Sequence, residues 1–99
     1  MKQYSGRRTI DGILVTVDGE DLNDQASVHA FDNKGFEWSY VGSAPRQLAF
    51  ALLSDHLNDT AQAIALVESF VTRVIANLDN DWDLTSEDIE RALDEAITG

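Results

Sequence analysis

The spacing of apolar residues changes near Gly42, and this change limits the folds that the chain can adopt. Over residues 13–17, ahead of Gly42, β-branched and apolar residues alternate between two faces, as they do in a β-strand. After Gly42, apolar residues recur every three or four positions, as they do on one face of a helix. The sequence therefore predicts an α+β fold, with a small antiparallel sheet of three or four strands packed against about three helices.

The sheet portion should occupy residues 1–41, and three runs within it are typical of strands. Residues 13–17 are followed by the turn-forming pair Asp-Gly, and residues 27–31 and 35–40 flank the turn-prone segment Asp-Asn-Lys-Gly. We therefore expect the last two runs to form a hairpin. Three aromatic residues of its second strand share a face that should pack inward: Phe36, Trp38 and Tyr40.

The helical portion should occupy residues 43–98. A first helix should start at Ser43, whose hydroxyl would cap it, and should run to about Leu57. A second helix should start after the capping residue Asp59 and carry an apolar stripe as far as Leu78.

Acidic residues recur through the segment DNDWDLTSEDIE, residues 79–90, at positions that resemble those of a calcium-binding loop. Such a loop needs glycine at its sixth position, where this chain has Leu84, and an apolar residue at its eighth, where it has Ser86. We therefore expect no calcium site. Trp82 and Leu84 should instead anchor the segment to the core, and Thr85 should cap a third helix. That helix should bury three apolar residues: Ile89, Leu93 and Ile97.

A chain of 99 residues is long enough for one modest core, so we expect residues 1–99 to form a single domain. It has no cysteine, which excludes disulfide bonds, cysteine nucleophiles and cysteine metal ligands. It has no secretory signal at its N-terminus and no apolar run long enough to span a membrane. These features predict a cytoplasmic protein with no membrane contact.

The chain carries 18 acidic residues against seven Lys or Arg, a net charge of -11. The charge is uneven, because residues 1–49 have seven acids and five bases whereas residues 50–99 have eleven acids and two bases. This field would oppose direct binding to nucleic acid or to an anionic membrane, and it would attract a basic protein surface. The same charge can also serve only to keep a small protein soluble.

The acids are densest over residues 79–95, where there are eight of them and one base, Arg91. At their spacing, Glu87, Glu90 and Asp94 should form one stripe on the last helix. We predict a partner-binding surface here, although a helix face that is merely solvated would show the same pattern. The predicted surface comprises all eight acids: Asp79, Asp81, Asp83, Glu87, Asp88, Glu90, Asp94 and Glu95.

Three residues are candidates for binding an anion: Arg7, Arg8 and Ser43. Arginine offers paired donors to a phosphate or carboxylate, and a helix start at Ser43 would have free N–H groups, although the arginine pair could equally neutralise nearby acids. Neither His29 nor His56 has a second histidine at a metal-binding spacing, and no nucleophile motif is present. We therefore expect a protein that is not an enzyme and that needs no metal or other cofactor.

Five short motifs resemble those of the domain-of-unknown-function 6166 family, and together they span nearly the whole chain. They are Tyr-x-Gly-Arg-Arg at residues 4–8, Trp-x-Tyr at 38–40, Gly-Ser-x-Pro at 42–45, Asp-His-Leu at 55–57 and Trp-x-Leu-Thr at 82–85. The resemblance implies a shared fold and a distribution among bacteria, halophilic archaea and phages. It implies no activity.

The leading prediction is a non-enzymatic interaction module that binds a basic protein or a nucleoprotein complex through its acidic helix. With the phage distribution that the resemblance implies, the partner would be a host nucleic-acid-binding defence complex, such as a CRISPR effector or a restriction enzyme. The protein would act on it as an inhibitor or accessory factor that mimics DNA. Two alternatives stay open: a small-ligand or metal-binding domain built around the arginine pair and the Asp-rich segment, and a homodimer joined by a strand edge or the aromatic face.

Overall fold

The computed structural model describes residues 2–32 and 35–98, with side chains in the last helix as far as Glu95. These residues form a four-stranded antiparallel sheet and three α-helices, which confirms the predicted α+β fold. The strands are β1 (Gln3–Thr9), β2 (Gly12–Val17), β3 (Glu20–Asp21) and β4 (Trp82–Thr85). The helices are α1 (Ser43–Leu57), α2 (Thr60–Arg73) and α3 (Ser86–Thr98), and a 3-10 turn covers Ile75–Asn77.

The strands are arranged in the order β3-β2-β1-β4, so the first strand of the chain lies inside the sheet. A two-residue turn at Ile10 and Asp11 connects β1 to β2, and β4 pairs with the other edge of β1. Tyr4 lies opposite Val17 of β2 and also opposite Leu84 of β4. The sheet therefore joins the beginning of the chain to the segment that precedes the last helix.

One of the three predicted strands is confirmed, because residues 13–17 lie in β2. The predicted hairpin of residues 27–31 and 35–40 is wrong, since the described residues of both segments are irregular, and the sheet takes β1 and β4 instead. The expected inward aromatic face is correct for Trp38, which is fully buried, but not for Tyr40, which is 49% exposed.

The side chain of Gln47 explains why residues 24–32 form no strand. Gln47 lies in α1, is only 1% exposed, and accepts hydrogen bonds through Oε1 from the N–H groups of Phe31 (2.6 Å) and Asp32 (3.2 Å). Its Nε2 donates to the carbonyl oxygens of Asp24 (2.6 Å) and His29 (3.2 Å). Because one side chain satisfies these four backbone groups, the segment needs no partner strand.

Helix α1 has the predicted range but not the predicted cap. Gly42 is the N-cap residue and makes no side-chain cap, while Ser43 is the first helical residue. The Ser43 hydroxyl donates instead to Asp32 Oδ2 at 2.7 Å. The prediction that Ser43 caps the helix is therefore wrong, because its hydroxyl donates a hydrogen bond to a carboxylate in the preceding segment instead.

Helix α2 starts where predicted and ends earlier. Asp59 accepts a hydrogen bond from the N–H of Gln62, as expected for the cap. The helix ends at Arg73 rather than near Leu78, and the Asn77 amide group donates to the carbonyl oxygens of Thr72 and Arg73. A side chain thus caps the last carbonyls, and the 3-10 turn continues the apolar stripe into the core.

Helix α1 is the centre of the core, since residues 47–54 are all buried. A helix that is covered on every side has no polar face, which is why this segment is rich in Ala and Leu. Ile89 and Leu93 of α3 are buried as predicted, and the predicted burial of Ile97 lies outside the described side chains. Within the described residues, every helix is too short or too polar to cross a lipid bilayer.

Candidate functional site

The Asp-rich segment ahead of α3 contains the edge strand β4 rather than an open loop. Asp79, Asp81 and Asp83 are exposed, whereas Trp82 is buried and Leu84 is half-buried against the core. The predicted anchoring by Trp82 and Leu84 is therefore confirmed. Within β4 the side chains alternate between core and solvent, so Asp83 faces outward.

Arg7 in β1 binds this strand directly. Its Nη1 donates to the carbonyl oxygen of Trp82 at 2.8 Å, and its Nη2 donates to Asp83 Oδ1 at 3.0 Å. The guanidinium also donates to the carbonyl oxygen of Gly6. Arg7 thus holds the edge strand against the sheet and compensates one of the predicted surface acids.

Arg8 points to a different partner. Its Nη1 donates to Glu37 Oε1 at 2.6 Å, its Nη2 donates to the carbonyl oxygen of Trp38, and its guanidinium carbon lies 4.4 Å from the centre of the Trp38 ring. Both arginines therefore neutralise acids of the chain, Asp83 and Glu37. Ser43 is bonded separately, to Asp32. An anion site that uses these three residues stays a prediction.

Thr85 caps α3, as the sequence predicts, and Asp88 completes the cap. Thr85 Oγ1 accepts from the N–H of Asp88 (3.2 Å), and Asp88 Oδ2 accepts from the N–H of Thr85 (2.9 Å). The hydrogen bond from the Thr85 N–H is the main cause that holds the pKa of Asp88 below its ordinary value, and Arg91, 3.2 Å from Asp88 Oδ1, acts in the same direction. Asp88 therefore has a structural task inside its own helix.

The outer side of α3 carries a cluster of acids. Glu87, Glu90 and Asp94 line a shallow groove of about 380 Å³ together with Ser86 and Arg91. These three acids, and Glu95 after them, are exposed, because Ile89 and Leu93 turn the opposite side of the helix towards the core. The predicted stripe thus exists as a solvent-facing surface, and Arg91 is the base within it.

Both histidines contact residues of the chain. His56 Nε2 lies 2.6 Å from Glu90 Oε2, which links α1 to α3. The ring of His29 lies 4.3 Å from that of Phe31 and 6.1 Å from that of Phe50. In the part of the chain that the structure describes, no three or more acidic or histidine side chains are grouped as a metal ion would require.

A buried hydroxyl joins the sheet to α1. The Tyr4 hydroxyl donates to Asp55 Oδ2 at 2.7 Å, and Lys2 Nζ donates to the same oxygen at 3.0 Å. Burial of the ring, with the hydrogen bond to Asp55 as the next cause, raises the pKa of Tyr4 well above its ordinary value. The Tyr4 hydroxyl thus serves as a structural donor that links β1 to α1.

A cleft of about 740 Å³ is a concave feature that the sequence does not predict. Its described walls come from three separate parts of the chain: the start of β2, residues 22–24, and residues 32 and 35–44 ahead of α1 and at its start. Three carboxylates line it: Asp24, Asp32 and Glu37. Five apolar or aromatic residues and two glycines complete the described lining: Ile13, Leu22, Phe36, Tyr40 and Ala44, with Gly12 and Gly35. Only the fold brings these segments together, so local patterns could not have indicated the cleft.

The sequence model described as "Family of unknown function (DUF6166)" matches residues 4–95 of the 99-residue chain. No curated protein and no solved structure matches the chain. The matched range includes all of β1 except Gln3, the other three strands and most of α3, so it takes in both the arginine pair and the acidic helix.

Proposed function

Since the chain belongs to the DUF6166 family, whose function is unknown, we propose from its own surface that it is a non-enzymatic interaction module that binds a basic protein. The observation that carries this proposal is the outer side of α3, where Glu87, Glu90 and Asp94 surround a shallow groove open to solvent. A basic surface would gain from pairing with these carboxylates, and the surrounding charge would speed the encounter.

The two arginines of β1 bear on where the partner binds. Arg7 already compensates Asp83, whereas Arg8 meets Asp81 only through its backbone N–H, which donates to Asp81 Oδ1 with an N–O distance of 3.4 Å. The three acids around β4 thus share the charge of Arg7 and the five acids of α3 share that of Arg91, so α3 contributes more negative potential. The centre of the proposed contact is α3, and the acids of β4 lie at its rim.

In its finer form, the proposal names a nucleic-acid-binding complex of a host as the partner, with the protein as a phage or mobile-element inhibitor or accessory factor. The support is geometric. The three carboxylates of α3 are spaced by about 4.5 and 6 Å along the helix axis, given the rise of an α-helix. Phosphates along one DNA strand are spaced by about 3.4 Å along the helix axis. A protein groove that binds DNA would therefore find negative charges on α3 at regular but wider intervals. A CRISPR effector or a restriction enzyme has such a groove.

The test is affinity capture from a host lysate at low and at high salt, followed by mass spectrometry. The variant Glu87→Lys/Glu90→Lys/Asp94→Lys should lose the salt-sensitive partner that the wild type captures. A matched control, Asp11→Lys/Glu20→Lys/Asp21→Lys, changes the net charge equally at exposed acids of other elements and should retain the partner. Equal loss in both variants, or no salt-sensitive partner for the wild type, would rule the proposal out.

The proposal that the protein mimics DNA has its own measurement. The captured complex, once purified, should bind labelled DNA less tightly when the wild-type protein is added, and the α3 variant should not compete. Both variants need melting temperatures close to that of the wild type, because Glu90→Lys also removes the contact with His56. Capture without competition for DNA would keep the interaction module and exclude the mimic.

A further inference from the structure

The solvent-facing side of α2 carries little charge for a helix of so acidic a chain. Only Glu68 and Arg73 are charged among its 14 residues, whereas α3 has six charged residues among 13. Depletion of charged side chains is typical of the central part of a protein–protein contact. We call this side the outer face of α2, and its exposed residues are Ala61, Gln62, Ile64, Ala65, Glu68, Thr72 and Arg73.

The charges on and beside the outer face of α2 cancel one another. Arg46 of α1 pairs with Glu68, since its Nε donates to Glu68 Oε1 at 2.6 Å. Asp59 stands immediately before the helix, and Arg73 ends it. The face therefore has no net charge, although the whole chain has a net charge of -11. Two copies of this chain repel one another, so a contact between them costs least at such a surface.

The two ends of this helix carry opposite charges that the described residues leave available. Each of the other four arginines pairs with an acid of the chain, whereas the exposed Arg73 side chain has no hydrogen bond or ion pair with the described residues. Asp59 is also exposed, and among these residues its side chain meets only the N–H of Gln62, through Oδ1. With 3.6 residues per turn, Arg73 lies only about 40° from Asp59 around the helix axis.

We propose that the outer face of α2 is the contact between two copies of this chain, which pair antiparallel about a two-fold axis near residue 66. A half turn brings Arg73 of each copy to the end of the helix where Asp59 of the other copy lies, on the same side of the contact. The two available charges then form two identical ion pairs. The small side chains of Ala61 and Ala65 allow the helix axes to approach to about 8–10 Å.

A second copy fits this face better than a different protein because the face is complementary to itself. The contact should be weak, since a helix of 14 residues is only about 21 Å long and buries less than the roughly 1,600 Å² of a stable complex. Ile64, which is 41% exposed, is the large apolar side chain that the contact would cover. The outer face of α2 shares no residue with the groove on α3, so this proposal stands whether or not α3 binds a partner.

Sedimentation equilibrium of the wild-type protein tests for the dimer. Between about 10 µM and about 1 mM, the average mass should rise from that of one chain towards that of two, as for a dissociation constant of about 100 µM. Ala65→Glu places a carboxylate at the middle of the contact in both copies and should weaken the dimer at least about tenfold. Ala30→Glu adds the same charge at an exposed position outside α2 and should leave the dimer unchanged. A wild type that stays monomeric, or two variants that behave alike, would overturn the proposal.

Arg73 tests the ion pairs. Arg73→Glu replaces two attractions by two repulsions and should weaken the dimer at least about fivefold, whereas Arg73→Lys should retain it. Equal weakening by the two substitutions would contradict the pairing with Asp59.

A spin label tests the direction of the two helices. The chain has no cysteine, so Gln62→Cys provides a single attachment site for a nitroxide. Mixed with an unlabelled-cysteine-free, nitrogen-15-enriched wild type, the nitroxide should broaden the amide signals of residues 69–73 more than those of residues 60–64. The strongest broadening at residues 60–64 would indicate parallel helices, and the strongest broadening outside α2 would place the contact on another surface. Either result would overturn the proposal.

Discussion

The indole ring of Trp82 in β4 lies against the α-carbon of Gly6, its partner across the strand pair in β1. A methyl group added to Gly6 would overlap the ring, and Trp82 is buried and cannot move aside. The substitution Gly6→Ala should therefore lower the free energy of unfolding by about 1–3 kcal/mol, the usual cost of overpacking. Urea denaturation with a far-ultraviolet readout measures this change.

Gly42 supplies the control for that prediction. A methyl group on Gly42 would lie 2.6 Å from the Tyr40 ring, but Tyr40 is 49% exposed and can rotate into solvent. Gly42→Ala should thus cost less than Gly6→Ala. A cost as large as that of Gly6→Ala would show that close approach to a ring, rather than the burial of Trp82, sets the penalty.

Gln47→Leu should destabilise the protein by about 1–3 kcal/mol, because it removes the side chain that pairs with four part-buried backbone groups. The exchange of the Phe31 and Asp32 amide protons with solvent should accelerate more than that of amides in β1, since both donate to Gln47 Oε1. Hydrogen exchange followed by NMR measures both. Gln62→Leu, at an exposed position of α2, is the control and should leave stability nearly unchanged. Unaltered exchange at Phe31 would contradict the role given to Gln47.

The cap of α3 should make stability depend on pH in acid. Because the folded-state pKa of Asp88 is lowered, its contribution is present above the ordinary aspartate pKa and is lost as the pH falls through the lower folded value. Asp88→Asn should be less stable than the wild type at neutral pH, and the difference should shrink below about pH 4. Thr85→Ala should cost about 1 kcal/mol. Urea midpoints across this range test both, and a constant difference for Asp88→Asn would argue against the cap.

Tyr4 should make stability depend on pH in alkali. Its pKa is raised in the folded state, so its contribution is complete below the ordinary tyrosine pKa and is lost as the pH rises above about 10. Tyr4→Phe removes the ionisable group and should therefore lose stability less steeply above that pH than the wild type does. Circular dichroism and tyrosinate absorbance, recorded together, measure this. An equal loss of stability with rising pH in the two proteins would mean that ionisation of Tyr4 is not coupled to unfolding of the protein.

Where local chemistry decides the structure, the sequence is a sufficient guide. The caps at Asp59 and Thr85 act within three residues of themselves, and both helices start where the sequence predicts. The strand over residues 13–17 is predicted for the same reason, since its alternation is complete within one short run. The acids of α3 face solvent because Ile89 and Leu93 set the helix orientation.

Where distant residues decide, the sequence misleads. Residues 27–31 have the composition of a strand, but Gln47 of α1 takes the hydrogen bonds that a strand partner would have supplied. β1 is missed because Gly6 and two arginines break the apolar pattern, and their partners Trp82, Asp83 and Glu37 lie far along the chain. The cleft depends on three such segments at once, so no local pattern indicates it.

The central position of β1 also affects how the protein can be made. β2 follows β1 at once and can cover one edge early, but β4 completes the other edge from residues 82–85. In a chain growing on the ribosome, the edge of β1 that later pairs with β4 therefore has no partner until residue 85 has emerged. During that interval the unpaired edge could pair with another nascent chain. Arg7 and Arg8 are then not yet paired with Asp83 and Glu37, and their positive charges would oppose such strand pairing.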